Sequence, residues 1–162
     1  MKNNNQKLND EVFRFAKEGD EGKILYFIKE LAKYEKMPDE VVANEELLSK
    51  WIFDEHKANV LFVMADGKEV GFALYFNNFS TFLGRPGIYL EDLYIEPEYR
   101  HRGFGKALFE KLKSIARENG YGRVEWWCLD WNKPSIDFYL SLGAEQMSDW
   151  TTYRLSGKAL NG

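Results

Sequence analysis

The chain has 162 residues, of which 44% are hydrophobic and 30% charged, with a formal net charge of -4 and a single cysteine. That balance suits one folded globular domain able to bury about two thirds of its unfolded surface, and it excludes disordered, fibrous and disulfide-stapled classes. The lone Cys128 permits neither an intramolecular disulfide nor a Cys-rich zinc site, which points to a reducing, cytoplasmic location, and the acidic balance argues against nucleic acid as a partner.

Residues 1–10 are polar and rich in Asn, with no apolar segment of signal-peptide type, and read as a flexible tail before one domain spanning 11–162. Residues 12–15 alternate as a short first strand. From Asp20 the period changes: Ile24, Phe27, Ile28 and Leu31 fall at helical spacing, which predicts a helix to about Tyr34 with Asp20 as its cap. A second helix is expected over 44–53, with Leu47, Leu48 and Trp51 on its inner face. The longest apolar run, 60–65, is far too short to cross a membrane and reads as a buried strand. Asp66-Gly67 signals a hairpin turn, 69–76 the return strand, and 77–87 a loop. Residues 88–95 form the next strand, which Pro97 ends because proline cannot donate to the ladder.

A helix follows, opened by Gly103-Phe104-Gly105, carried by Leu108, Leu112 and Ile115, and closed by Asn119-Gly120. Residues 123–129 read as a strand and 132–142 as a short helix, with Asn132 as candidate cap, Pro134 in the first turn and Gly143 after the last. Residues 144–155 supply final strand material, a bent pair. The order β-α-α-β-β-β-α-β-α-β describes a mixed α/β fold on one sheet.

The densest chemical signal is Arg100-His101-Arg102-Gly103-Phe104-Gly105-Lys106, between a strand and a helix. The first amides of a helix have no intrahelical acceptor and lie at the positive end of its dipole, so they suit a phosphate. Glycines let a diphosphate approach them, and Arg100, Arg102 and Lys106 add positive charge. It is not a P-loop, because Ala107 follows Gly105-Lys106, nor a Rossmann turn, because Leu108 stands where the third glycine would be. The alternative is a glycine-eased turn with solvated cations. His56 and His101 are isolated, so no metal is implied.

Read as Arg-x-x-Gly-x-Gly, this turn resembles the acyl-CoA pyrophosphate loop of the GNAT acetyltransferases. Leu90-Glu91-Asp92-Leu93-Tyr94-Ile95 is similar to their central strand, and Trp131-Asn132-Lys133-Pro134-Ser135-Ile136-Asp137-Phe138-Tyr139 with Gly143-Ala144 to their last helix. Ile28-Lys29-Glu30-Leu31-Ala32-Lys33-Tyr34-Glu35 resembles the first helix of the spermidine/spermine and thialysine subfamily. The matches run in order from Ile24 to Tyr153.

The resemblance implies acetyl-CoA as co-substrate, a small-molecule primary amine as acceptor, direct attack in a ternary complex, and a homodimer. Tyr139 matches the tyrosine beside the acetyl-CoA sulfur and is the expected acid for the departing thiolate. Glu91 is the expected base or water-holder. Because side chains alternate along a regular strand, only one of Glu91 and Asp92 should face a given site. The resemblance also assigns Leu93, Tyr94 and Ile95 to the pantetheine arm, the turn 100–106 to the diphosphate, and Asn132, Pro134, Ser135 and Tyr139 to the cofactor. Tyr34, Glu35, Asp92, Glu125, Trp126 and Trp127 fall on the acceptor side. Asn132 also reads as a helix cap, and the tryptophans as core. The polyamine enzymes carry a C-terminal acidic pair, whereas this chain has Ser148-Asp149-Trp150, which leaves a shorter amino acid, a diamine or another amine equally open. The competing readings are an acceptor amine on a protein or antibiotic, and a non-catalytic acetyl-CoA-binding module.

Overall fold

A computed structural model describes residues 12–162, so the tail expected at 1–10 lies outside the described residues. Two compact units emerge, one ending at Trp127 and the other spanning Cys128–Gly162.

In the first unit, β1 (Phe13–Phe15) leads to α1 (Glu21–Tyr34), a short 3-10 turn (Pro38–Glu40), and α2 (Glu45–Leu48), which passes into a π turn (Ser49–Asp54). Then come β2 (Asn59–Ala65), β3 (Lys68–Ser80), β4 (Arg85–Ile95), a second 3-10 turn (Pro97–Tyr99), α3 (Phe104–Glu118) and β5 (Val124–Trp126). The five strands form one sheet in the order β1-β2-β3-β4-β5, with β4 and β5 parallel and the other pairs antiparallel.

Ile24 and Phe27 of α1 are buried with Ile52, Val60, Phe62, Phe72 and Tyr94 in one cluster. Phe27 stacks on Phe72 with ring centroids 5.5 Å apart and planes 13° apart. The partners Phe72 with Tyr94, Leu74 with Asp92, and Phe76 with Tyr89 put these residues on the α1 face of the sheet, since every second residue of β3 points the same way. The opposite face receives α3 through buried Leu108, Phe109 and Leu112, with Phe109 lying 4.7 Å from the Trp126 ring.

Several expectations need correction. Asp20 precedes α1 without capping it: its carboxylate instead accepts from Arg14 Nη1 at 2.7 Å and the Lys17 amide at 2.9 Å. Asn44 does cap, accepting from the Leu47 amide at 2.8 Å, yet Leu47 and Trp51 are exposed while Ile52 is buried. The π winding from Ser49 widens the turn, so the inward stripe runs through Leu48 and Ile52.

The predicted loop at 77–87 is mostly strand. The β3–β4 pairing continues to Ser80 with Arg85, and only the tip turns, with Gly84 at φ 64°. The strand expected at 123–129 is shorter, since among the described residues pairing with β4 stops at Trp126.

Gly71 shows how tightly β3 holds the end of β4. A Cβ there would lie 2.6 Å from the Tyr94 carbonyl oxygen and 2.7 Å from Ile95 Cδ1. Gly71→Ala should therefore cost about 1–3 kcal/mol of folding stability, read as a lower urea midpoint at constant m-value.

The second unit holds α4 (Lys133–Ser141) and α5 (Lys158–Asn161). Pro134 sits in the first turn of α4, and Gly143 follows it at φ 83°. The final strand pair expected at 144–155 is not formed, and Met147, Trp150, Tyr153 and Leu155 are all exposed. Alternating side chains earn a strand only when another strand or a packed layer covers one face, and nothing in this unit does so.

Candidate active site

The turn after β4 is built around two left-handed residues, His101 at φ 60° and Gly103 at φ 87°. Gly103 occupies the N-cap of α3, and no side chain caps the helix. The first intrahelical bond of this end is Ala107 N–H to Gly103 O at 3.0 Å, which leaves the amides of Phe104, Gly105 and Lys106 directed out of the helix start. A Cβ on Gly103 would meet no atom within 4 Å, so the space before these amides is open. An anion such as a diphosphate fits this end by hydrogen bonding and by the helix dipole.

His101, Arg102 and Lys106 are exposed around the turn, with the Arg102 guanidinium 5.0 Å from the Tyr99 ring centroid. Arg100 departs from its expected place among the phosphate cations. Its Nε donates to the Ile95 carbonyl at 2.8 Å, and its guanidinium lies 5.2 Å from the ring centroids of both Tyr34 and Tyr94.

Further back on β4 the pairing register slips: Leu74 pairs with Asp92 but Tyr75 pairs with Leu90, which leaves Glu91 as an extra, unpaired residue. This is a β-bulge, and it overturns the expectation that Glu91 and Asp92 face opposite sides. Burial, then Glu91, then Glu35 push the Asp92 carboxyl up to about 7, and burial followed by Glu91 also raises Glu35, the residue that follows α1. The three carboxylates thus share one field. They are not gathered into a metal-binding set, since no such group of three or more His, Cys, Asp or Glu occurs among the described residues.

A raised Asp92 means that the folded state holds its proton more tightly than the unfolded chain does. Its contribution is therefore fully present below the unfolded value near 4 and is lost as pH rises through about 7. Asp92→Asn should raise the thermal midpoint at pH 8 relative to the parent, with the two curves converging toward pH 4. A lower midpoint at pH 8 would contradict that electrostatic picture.

Beyond Leu90, β4 has no ladder partner on its β5 side among the described residues. The stretch from Leu93 to Ile95 therefore presents an open edge of the kind an amide-bearing chain would need, although the Ile95 carbonyl already accepts from Arg100 Nε. Tyr94 itself is buried against Phe27, while Leu93 and Ile95 are half-buried.

On β5 the expected acceptor residues divide. Glu125 and Trp127 share the Tyr89 face, and the Trp127 ring meets Tyr89 edge-on at 5.8 Å. Trp126 turns to the opposite face against Phe109, so it does not join them. Glu125 is already engaged, paired with Arg123 Nε at 2.8 Å and accepting from Asn78 Nδ2 at 3.0 Å.

The sequence reading missed Tyr89. Its hydroxyl is buried without a hydrogen-bond partner, and burial followed by Glu91 and Glu125 raises it well above the usual tyrosine value. Its position two residues before Glu91 was the available signal. Because an unsatisfied buried hydroxyl is costly, Tyr89→Phe should raise the thermal midpoint of the ligand-free protein rather than lower it.

In the second unit Asn132 is buried at the N-cap of α4, but its side chain makes no capping bond, which corrects its reading as a cap. Pro134 is exposed, and Ser135 and Tyr139 are half-buried. The Tyr139 ring lies 5.6 Å from that of Phe138, and Lys133 pairs with Asp137 at 2.9 Å across one helical turn.

The chain is similar to known proteins over much of its length. The thialysine N-epsilon-acetyltransferase of Bos taurus is 39% identical over 161 residues, covering 92% of this chain and 94% of that protein. The L-ornithine N5-acetyltransferase of Arabidopsis thaliana is 43% identical over 90 residues, 56% of this chain and 40% of that protein. The solved structure of an integron cassette protein from the mobile metagenome of V. cholerae superposes with a TM-score of 0.77 at 26% identity, over 92% of this chain and 94% of its own. The family model described as Acetyltransferase (GNAT) family matches residues 24–144. With the open helix start after β4, the bulged strand before it and these matches across most of its length, the chain belongs to the GNAT family of acetyltransferases.

Proposed function

We propose that the chain transfers the acetyl group of acetyl-CoA to a primary amine of a small molecule, a diamine, polyamine, thialysine-like or amino-acid-like acceptor, by direct attack in a ternary complex. The observation that carries this reading is the bulge at Glu91. It leaves Glu91 as an extra residue beside Asp92 on the strand that leads into the open helix start, where Glu91 acts electrostatically on both Asp92 and Glu35, a set suited to attract a cation. The named relatives support the acceptor class, being acetyltransferases of thialysine and ornithine.

The amides of Phe104, Gly105 and Lys106 hold the diphosphate, with Gly103 giving it room and His101, Arg102 and Lys106 flanking it. The open edge at Leu93, Tyr94 and Ile95 pairs with the pantetheine arm, and Asn132, Pro134 and Ser135 contact the cofactor. The acceptor arrives as an ammonium, because a primary amine has a pKa near 10.4. Tyr34, Glu35, Asp92, Glu125 and Trp127 line its approach, and aromatic faces with carboxylates suit such a cation.

Glu91, the exposed member of the pair, takes one ammonium proton directly or through a water. The freed nitrogen then attacks the thioester carbonyl carbon, the C–S bond breaks, and Tyr139 gives its phenolic proton to the departing thiolate; the second proton lost by the nitrogen as the amide forms passes to the phenolate and restores the tyrosine. We further place the enzyme in the cytoplasm, as a homodimer that works without a metal or nucleic acid. No helix among the described residues is long and apolar enough to cross a membrane.

A thiol-release assay tests this function. Acetyl-CoA is supplied with thialysine, L-ornithine, putrescine, spermidine, an aminoglycoside and an N-terminal peptide. CoA release with one or more of the first four is the expected result. Release only with the peptide or the antibiotic would move the acceptor class, and none with any amine despite CoA binding would favour a non-catalytic module.

A further inference from the structure

Arg100 opens the phosphate turn in sequence, yet its side chain runs back toward the other end of the site. The Nε–H donates to the Ile95 carbonyl at 2.8 Å, where β4 ends. The guanidinium is held near two rings, with its central carbon 5.2 Å from the Tyr94 centroid and 5.2 Å from the Tyr34 centroid. Tyr94 is a core residue against Phe27 at 6.2 Å, so that side of the contact is rigid. Tyr34 is exposed and is the last residue of α1, and Glu35 follows it directly. One side chain therefore bridges the C-terminus of α1, the end of β4 and the turn that opens α3.

The physical fit explains why an arginine stands here. A guanidinium is planar and weakly hydrated, so it stacks on aromatic faces while its N–H groups bond in the plane, whereas an ammonium is a point charge with no such fork. A cation beside the end of α1 also complements the negative end of that helix dipole.

We propose that Arg100 is a positioning residue that couples the two substrate sites: it fixes Tyr34 and Glu35 against the bulge carboxylates in register with the turn that binds the diphosphate. This rests on the function proposed above. Its consequence is opposite to that of a phosphate-binding arginine. Losing Arg100 frees the end of α1 and disturbs the acceptor side, while the diphosphate keeps its backbone amides and the cations that remain. Occupancy of the turn by acetyl-CoA, by holding Arg100, should also tighten the acceptor site, and by linkage the amine should tighten acetyl-CoA to the same degree.

The test uses the full chain with Arg100→Gln and Arg100→Lys, the second keeping charge and most of the aliphatic stem. Acetyl-CoA affinity is measured by calorimetry at two salt concentrations, and kcat and KM are measured for thialysine. Both variants should keep acetyl-CoA Kd within about threefold, with unchanged salt dependence, while the thialysine KM rises by about tenfold or more, a usual size for site-to-site coupling. Calorimetric binding of thialysine with and without saturating CoA should show tightening in the parent that is lost in both variants.

A large rise in acetyl-CoA Kd with flatter salt dependence and an unchanged amine KM would make Arg100 a phosphate contact and overturn the inference, as would full recovery by lysine. A parent protein with no turnover on any amine would instead overturn the function beneath it, which the thiol-release panel reports separately.

Discussion

Replacing Tyr139 by phenylalanine should lower kcat for an amine acceptor by about 10²-fold or more, the scale of a positioned general acid, while acetyl-CoA affinity stays within a few-fold. The reason lies in the leaving group. A thiolate of the coenzyme A kind departs more easily when protonated, and the tyrosine hydroxyl is the donor assigned to it in this account. Phenylalanine keeps the ring that packs beside Phe138 in α4 and removes the hydroxyl that carries the acidic proton. The effect should therefore appear in the chemical step and not in binding or folding. An acetyl donor with a more acidic thiol should lose less on substitution, because its thiolate needs less help. Unaltered turnover with acetyl-CoA would remove Tyr139 from the acid role.

Glu91→Gln should cause a comparable loss, about 10²–10⁴-fold in kcat/KM, if its carboxylate takes the acceptor's proton. The pH dependence separates this from a merely structural role. Asp92 is pushed up to about 7 by burial, by Glu91 and by Glu35, so the cluster gains a proton as pH falls through neutrality. It then attracts a cation less strongly and is a poorer proton acceptor. kcat/KM should accordingly fall on the acid side of about pH 7. Glu35→Gln removes one of the charges that raise Asp92, so the acid limb should move to lower pH. Ionisation of the amine also makes rates climb with pH, but it cannot shift when only Glu35 changes. An acid limb that stays in place in Glu35→Gln would show that the three carboxylates do not act as one set.

How much of this was readable in advance depends on the range of the interaction involved. The open turn at Gly103 was legible because a glycine between a strand and a helix is a local signal, and the left-handed backbone there is the conformation that glycine alone enters without strain. Helix α1 was legible from the spacing of Ile24, Phe27, Ile28 and Leu31, and the β2–β3 turn from Asp66-Gly67, both of whose residues have positive φ.

The bulge was not legible, because it is a relation between strands. Nothing in Leu-Glu-Asp-Leu says that Leu74 will skip Glu91 and pair with Asp92, so strict alternation set the two carboxylates on opposite faces. The same limit hid the stacking of Arg100, whose tyrosine partners lie on α1 and β4 and whose charge pointed naively to the phosphate. It also hid the division of Trp126 from Trp127, since alternation separates them but cannot say which one meets α3. At 144–155 the local pattern suggested a strand, but strand formation needs a neighbour to pair with, and composition does not report one.

The central claim is that backbone amides at the start of α3 hold the diphosphate of acetyl-CoA. Amide NMR of the isotopically labelled chain, titrated with CoA and in parallel with pantetheine, tests it most directly. Large downfield shifts of the Phe104, Gly105 and Lys106 amide protons are expected with CoA and none with pantetheine, which lacks the diphosphate. CoA binding that leaves those three amides unmoved would contradict it.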